Sequence, residues 1–348
     1  MKKIALISDV HFGVNKNSEM FLKNSLNYFK NEFVPYLKEN GITKIYVLGD
    51  LYENRTSINV RVNSEVYHLF TDILSDFEIT ITLGNHDLFY NNTTDVHSLK
   101  YLNNFKNIRI VDKPVVEDIY GTKVLLCPWI TDYNDSKITK LFKNSEAEVL
   151  FGHFDIIGFS LNNFKINTDV GFSIKDFINF KKVFTGHYHK FSSKKIKETE
   201  IVYLGSPYQT NRNDLNDDKG FIVLDMETIK YERILNKTSI KYIDIQYPNI
   251  PTEKEINGNI ITLHINIDKK DIVGDVIEKY IAKIEGMNPV DKVNINLNIH
   301  NDEASTDILQ KGITSVEDLM EMFVNDNDSI TDKEEILKIV KEIYNEVK

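Results

Sequence analysis

The chain has 348 residues, 41% of them hydrophobic and 27% charged, a composition that excludes a disordered, fibrous or membrane-embedded protein and fits about two domains at roughly 150 residues each. The formal net charge of −10 argues at first sight against a nucleic-acid partner, but residues 301–348 hold 13 acidic and 5 basic side chains, a net of −8, so the first 300 residues carry only −2. The single cysteine, Cys127, excludes an intramolecular disulfide and a thiolate metal cluster, so a reducing compartment is expected and any metal falls to His, Asp and Asn.

In chain order, Lys3–Asp9 reads as a strand and not as a signal peptide, Ser18–Asn40 as a helix stopped by Gly41, and Lys44–Asp50 as a second strand. Ile58–Ser75 reads as a helix and Glu78–Leu83 as a third strand, the alternation of a largely parallel sheet with right-handed crossovers. Strands follow at Val115–Ile119, Thr122–Cys127, Ala147–Phe151, Lys182–Phe184, Ile201–Leu204 and Phe221–Asp225. Tyr242–Gln246, Ile260–Ile267, a helix around Val273–Ile284 and Val293–Ile299 make a β–β–α–β group that suits a small accessory domain. Beyond His300 a polar linker leads to two short amphipathic helices, each opened by a capping box, at Ser315-Val316-Glu317-Asp318 and Ser329-Ile330-Thr331-Asp332. In the last helix Ile336, Ile339, Val340, Ile343, Tyr344 and Val347 form an apolar stripe. No apolar run approaches the roughly 18 residues that a membrane span needs.

The chemistry-bearing residues stand at strand ends. Asp9-Val10-His11, Gly49-Asp50 and Gly84-Asn85-His86-Asp87 close the first three strands, and the carboxyl ends of parallel strands converge on one crevice. Gly152-His153 and Gly186-His187-Tyr188-His189 follow two later apolar runs. A continued strand would point His187 and His189 the same way, as a clamp for one site. Two Asp, one Asn and several His without a thiolate suit two divalent cations, with Asp50 the natural bridge because one carboxylate can span both. His68, His97, His264 and His300 lie outside these clusters and read as packing or surface residues, and Arg55 as a solvated loop residue.

The order D-x-H, G-D, G-N-H-D, G-H, G-H-x-H resembles the signature of the calcineurin-like metallophosphoesterases. Within them, Tyr203-Leu204-Gly205-Ser206-Pro207-Tyr208 followed by Lys219-Gly220-Phe221 resembles the SbcD-type DNA repair nucleases, including the phage recombination endonuclease subunits that work with an SbcC-type ATPase. The resemblance implies a four-layer α/β/β/α sandwich with a small α+β capping domain and a C-terminal helical tail. The expected division is residues 1–238 for the nuclease domain, 239–302 for the cap and 303–348 for a linker and ATPase-binding helices. It also implies two metals, Mn²⁺ above all, one held by Asp9, His11, Asp50 and His189, the other by Asp50, Asn85, His153 and His187. His86 then falls where the scissile phosphate is stabilised or the leaving oxygen protonated. Glu53 departs from the archaeal and eukaryal pattern, which has His there. It resembles the carboxylate of bacterial members and is expected to orient His86 and raise its pKa, the alternative being a solvated loop residue.

The expected function is therefore a metal-dependent DNA nuclease subunit, a 3′–5′ exonuclease and single-strand endonuclease of an ATPase-coupled complex for end processing and recombination. It would be cytoplasmic, in the host cytoplasm if phage-encoded. The alternative is a stand-alone metallophosphatase or cyclic-nucleotide phosphodiesterase. The expected partners are DNA, the SbcC-type ATPase through the C-terminal helices, and a second copy. That homodimer would pair through helices 18–40 and 58–75, whose stripes Phe21, Tyr28, Phe70 and Leu74 widen.

Overall fold

In the first strand, β1 (Lys3–Ile7), successive side chains point to opposite faces and both faces are apolar. Ile4 and Leu6 enter one core while Ala5 and Ile7 enter another. A strand buried on both sides needs a layer above and a layer below it. The computed structural model describes residues 2–90, 92–130, 136–160, 170–268, 275–300, 324–325 and 332–347, leaving aside the side chains of 136, 300 and 343–347.

Strands β1, β2 (Lys44–Leu48), β3 (Glu78–Thr82), β4 (Ile108–Val111), β5 (Val115–Ile119), β6 (Thr122–Cys127), β7 (Val149–His153), β8 (Lys182–Gly186), β9 (Ser192–Ile196), β10 (Thr199–Tyr203), β11 (Gly220–Asp225) and β12 (Lys230–Leu235) form two six-stranded sheets. The first runs β12-β11-β1-β2-β3-β4 and is parallel from β1 to β4, with β11 and β12 added antiparallel. The second runs β5-β6-β7-β8-β10-β9, parallel across β6, β7, β8 and β10.

Between the sheets, Ile4, Leu6, Tyr46 and Leu48 meet Val124, Leu126, Phe151, Phe184 and Val202. On the outer face of the first sheet, Ile7, Ile45 and Val47 share a core with Leu22, Phe29, Phe33, Val66 and Leu69 of its helices. On the outer face of the second, Leu125, Leu150 and Val183 pack with Phe142, Phe177 and Phe180. The order is helix, sheet, sheet, helix, the α/β/β/α sandwich expected.

Both covering helices on the first sheet change winding midway. Glu19–Tyr28 passes through a π-helical turn at Phe29–Phe33 into Val34–Glu39, and Val60–His68 passes into one at Leu69–Ile73. The wider turns keep Phe29, Phe33, Leu69 and Phe70 directed into the core. Phe21, Tyr28, Phe70 and Leu74, which widen the two helix stripes, are all buried within the chain. Phe21 stacks on Tyr242 and Tyr28 lies against Tyr208, so these side chains serve internal packing, while Val60 and Tyr67 of the second helix are exposed.

The chain divides into two compact units, Met1–Asp244 with Thr252–Ile261 and Met287–Lys292, and Ile245–Pro251 with Thr262–Gly286 and Val293–Lys348. Strands β13 (Tyr242–Gln246), β14 (Ile260–Asp268) and β15 (Asn294–His300) make a three-stranded sheet, and helix Val276–Glu285 follows β14, burying Tyr280 and Ile284. Helix Lys333–Val347 is present, with Ile336 and Ile339 exposed. The capping boxes at Ser315 and Ser329, the helix between them, Val273 and the side chains of Ile343, Tyr344 and Val347 lie outside the described residues. None of the described helices is long and apolar enough to cross a membrane.

The two sheets pack closely at the carboxyl end of β8. A methyl group on Gly186 would overlap Ser8 Oγ and the Leu48 carbonyl, so only glycine lets β8 approach β1 and β2 there. Gly186→Ala should lower stability by at least the about 1–3 kcal/mol typical of one inserted core methyl. A denaturant midpoint equal to wild type would show that the sheets can part at no cost.

Candidate metal centre

Each donor is delivered by the end of a strand. Asp9 and His11 follow β1, Asp50 follows β2, Asn85 and His86 follow β3, His153 ends β7, and His187 and His189 follow β8. Four of these residues, Asp9, His11, Asp50 and His187, have φ between 50° and 97°. Left-handed backbone in non-glycine residues is costly and clusters where surrounding structure enforces it. Here the enforcing contacts run between loops: the Asp9 amide donates to the Gly49 carbonyl, the His11 amide to Asp50 O, and the His187 amide to both Asp9 carboxylate oxygens at 2.9 and 3.2 Å.

The donor atoms fall into two sets. Asp9, His11 and His189 converge in one and Asp50, His153 and His187 in the other, each set with its ligating atoms within 4.8 Å of one another. In the first, His11 Nε2 faces His189 Nε2 at 3.0 Å. In the second, Asn85 Oδ1 lies 3.1 Å from His153 Nε2 and 3.0 Å from His187 Nδ1. Asp50 Oδ2 is 3.2 Å from His153 Nε2 and 3.7 Å from His11 Nε2, so a single carboxylate oxygen stands between the two sets. His187 and His189 correct the clamp expectation: β8 ends at Gly186, the backbone turns at His187 (φ 97°), and the two rings go to different sets.

Each imidazole has its other nitrogen engaged. His11 Nδ1 pairs with Glu53 Oε2 at 2.7 Å, His153 Nδ1 with the Leu48 carbonyl at 2.7 Å, His187 Nε2 with Asp155 Oδ1 at 2.9 Å, and His189 Nδ1 with Thr210 Oγ1 at 3.4 Å. A carboxylate or carbonyl can only accept, so His11, His153 and His187 keep a proton on the engaged nitrogen, and the inner nitrogen offers a lone pair once any second proton has left.

Glu53 touches two imidazoles. Its carboxylate serves His11, while His86 Nδ1 meets the Glu53 backbone carbonyl at 2.6 Å. The loop geometry places the side chain on the buried imidazole, with a Glu53 oxygen, a His11 nitrogen and a His86 nitrogen all within 4.8 Å of one another. The His86 amide donates to Asp50 Oδ1 at 2.8 Å, and its ring stands edge-on to His11.

Sequence reasoning missed Asp87, Asp155, Trp129, Thr210 and Asp214. Asp87 is buried and accepts from the amides of Gly84, Asp50 and Leu51, tying the ends of β2 and β3 together. The indole of Trp129 packs on His187 at 5.0 Å between ring centroids. Asp87 and Asp155 were visible as the last letters of G-N-H-D and G-H-F-D; Trp129, Thr210 and Asp214 carried no local signal. Of the other histidines, His68 pairs with Asp72 at the surface and His97 is buried.

The electrostatics test whether cations fit. Burial alone would lower His11 and His153, but Glu53 and Asp50 raise His11 to about 8 and Asp50 raises His153 to about 9. Burial, and then His11, lower His189 to about 4. Burial alone would raise Asp50, yet His153 and His11 hold it well below the ordinary carboxylate range. Protons on His11 and His153 thus fill the place of positive charge among buried carboxylates. The donor set of Asp, Asn and His fits divalent cations.

A calcineurin-like phosphoesterase family model matches residues 2–191, which contain all of these strand-end donors. The chain belongs to the calcineurin-like phosphoesterases. It is 28% identical over 350 residues to exonuclease subunit 1 of Enterobacteria phage T4, covering 98% of each chain. It is 24% identical over 271 residues to the SbcD component of the SbcCD nuclease of Staphylococcus epidermidis, covering 68% of this chain and 69% of that one. Divalent-metal binding is a property of this metallophosphoesterase family, and the converging side chains are its candidate ligands here.

Cation binding must displace the protons on His11 and His153, so it should tighten as pH rises toward about 9 and weaken below about 8. Mn²⁺ affinity of the cation-free protein, measured by calorimetry, should fall about tenfold or more per pH unit between 8 and 7, with proton release on binding. A pH-independent affinity with no proton release would contradict the donor assignment.

Proposed function

We propose that this chain is the DNA nuclease subunit of an ATPase-coupled complex for DNA-end processing and recombination, acting as 3′–5′ exonuclease and single-strand endonuclease. The observation that carries the reading is the complete double donor set meeting at Asp50, in a chain similar along 98% of its length to a phage exonuclease subunit. Asp9, His11, Asp50 and His189 would hold one divalent cation, and Asp50, Asn85, His153 and His187 the second, with Mn²⁺ the favoured ion. When bound, the cations supply Lewis-acid charge to the phosphodiester and acidify water. They also give a near-neutral body the positive charge that a phosphate backbone requires.

His86 is the proton carrier in this reading. Its Nδ1–H donates to the Glu53 carbonyl and its amide to Asp50, so the ring is held in one orientation. In its imidazolium form it carries a second proton, on Nε2, to give to the leaving oxygen, and it is left neutral with Nδ1–H still engaged. Glu53 acts one step back, fixing the ring of His11. A stand-alone phosphatase or cyclic-nucleotide phosphodiesterase accounts for the donors equally well. It does not account for a similarity that runs beyond residues 2–191 through the cap and tail.

The organisation proposed with this function assigns 1–238 to the nuclease, 239–302 to the cap and 303–348 to the ATPase contact. Helix Lys333–Val347 supports the last assignment, since Ile336 and Ile339 are 37% and 44% exposed and a short helix with an apolar stripe gains its stability by burying it.

His86→Ala should retain both cations and bind single-stranded DNA while cleavage falls by about two to four orders of magnitude, the usual worth of a positioned acid. Loss of metal along with rate would make His86 a ligand instead. Ile336→Asp combined with Ile339→Asp should leave basal nuclease activity intact and abolish co-purification with an SbcC-type ATPase; undiminished binding would remove the tail from the interface.

A further inference from the structure

We infer that each half of the donor set is aimed by its own polar network, so that the two cation positions can be loosened separately: Thr210, Asp214 and Lys219 position His189, and Asp155 with Tyr188 positions His187. The inference rests on the two-cation reading and adds positioning residues that the reading does not use.

Behind His189 the network is closed. Thr210, Asp214 and Lys219 are buried at 1%, 2% and 5% exposure. Lys219 Nζ donates to Asp214 Oδ1 and to the His189 carbonyl, each at 2.7 Å. The other oxygen, Asp214 Oδ2, accepts from the Thr210 amide at 2.8 Å and from its hydroxyl at 3.1 Å. With its proton given to Asp214, Thr210 Oγ1 has only lone pairs to offer His189 Nδ1. The ring proton is thereby drawn to Nδ1, and Nε2 is left bare opposite His11. A buried ion pair costs desolvation that an apolar cluster of the same size would not, and an apolar cluster could not orient that hydroxyl. The motif Lys219-Gly220-Phe221 acquires a role in this way: its lysine makes the acidic anchor of Thr210 tolerable inside the protein.

The second network does the same with different residues. Asp155 Oδ1 accepts from His187 Nε2 at 2.9 Å and from the Tyr188 hydroxyl at 3.1 Å. Tyr188 is stacked on Tyr203, with centroids 4.5 Å apart and planes within 14°, and the Tyr203 hydroxyl is fixed to the Phe154 carbonyl. His187 sits past the end of β8 at φ 97°, where strand geometry no longer aims its side chain; Asp155 does so, turning Nδ1 toward Asn85.

Mn²⁺ titration by calorimetry of the full chain tests this. Wild type should bind two ions. Thr210→Val should weaken one of them about 10–100-fold, the usual worth of an outer-shell partner, and leave the other within about twofold. Thr210→Ser should restore it. Asp155→Ala should weaken one ion to a similar extent. Each variant should keep its wild-type circular dichroism spectrum. The effect of Thr210→Val should vanish in a His189→Ala background and persist in a His187→Ala background, with the reverse pattern for Asp155→Ala. Equal weakening of both ions by each variant, or unchanged binding in Thr210→Val, overturns the inference while leaving the two-cation reading in place. Fewer than two ions in wild type overturns both.

Discussion

The Asp50 carboxylate is the contact on which the rest of the molecule depends. It is buried, one oxygen accepts the His86 amide, and the other stands between His153 of one donor set and His11 of the other. A carboxylate in such a place is tolerable only if opposite charge surrounds it. Its position is fixed by the main chain, since Asp87 binds the amides of Asp50, Leu51 and Gly84 at once. Two of the three donor-bearing loops of the first sheet, those after β2 and β3, are therefore tied to one side chain.

The sandwich pays for this arrangement in its core. Strands buried on both faces supply the apolar area, at roughly 1.5–3 kcal/mol for each large aliphatic side chain fully removed from water. Against that gain stand buried carboxylates, four residues in left-handed backbone and imidazoles whose charge is set by their neighbours. The unfavourable features gather at the carboxyl ends of the strands, where main-chain hydrogen bonds between loops hold them. Chemistry and strain occupy the same few residues because the donors must come from five chain segments and meet within a few ångströms.

Much of this was legible in the sequence for identifiable reasons. Strands such as Lys3–Ile7 and Val149–His153 are short apolar runs ending in glycine or polar clusters, and their order alone implies a parallel sheet with a crevice at its carboxyl end. Strands β4, β9 and β12 escaped notice because all three lie at sheet edges: Ile108–Val111 is only four residues long, and Ser192–Ile196 and Lys230–Leu235 carry polar, partly exposed side chains that do not alternate cleanly. At the site, the donor residues were readable as motifs, but their pairing was not. Whether Glu53 faces His86 or His11, and whether His187 and His189 share a site, depends on backbone turns that side-chain periodicity does not encode. The breadth of the helix stripes has a related origin: a π-helical turn and a second layer of aromatic side chains bury Tyr28 and Phe70 within the chain.

The most direct measurement is anomalous diffraction from a crystal of the protein grown with Mn²⁺. The account predicts two manganese peaks with the Asp50 carboxylate bound to both, one also ligated by Asp9, His11 and His189 and the other by Asn85, His153 and His187. A single peak, or two peaks of which only one touches Asp50, would contradict it.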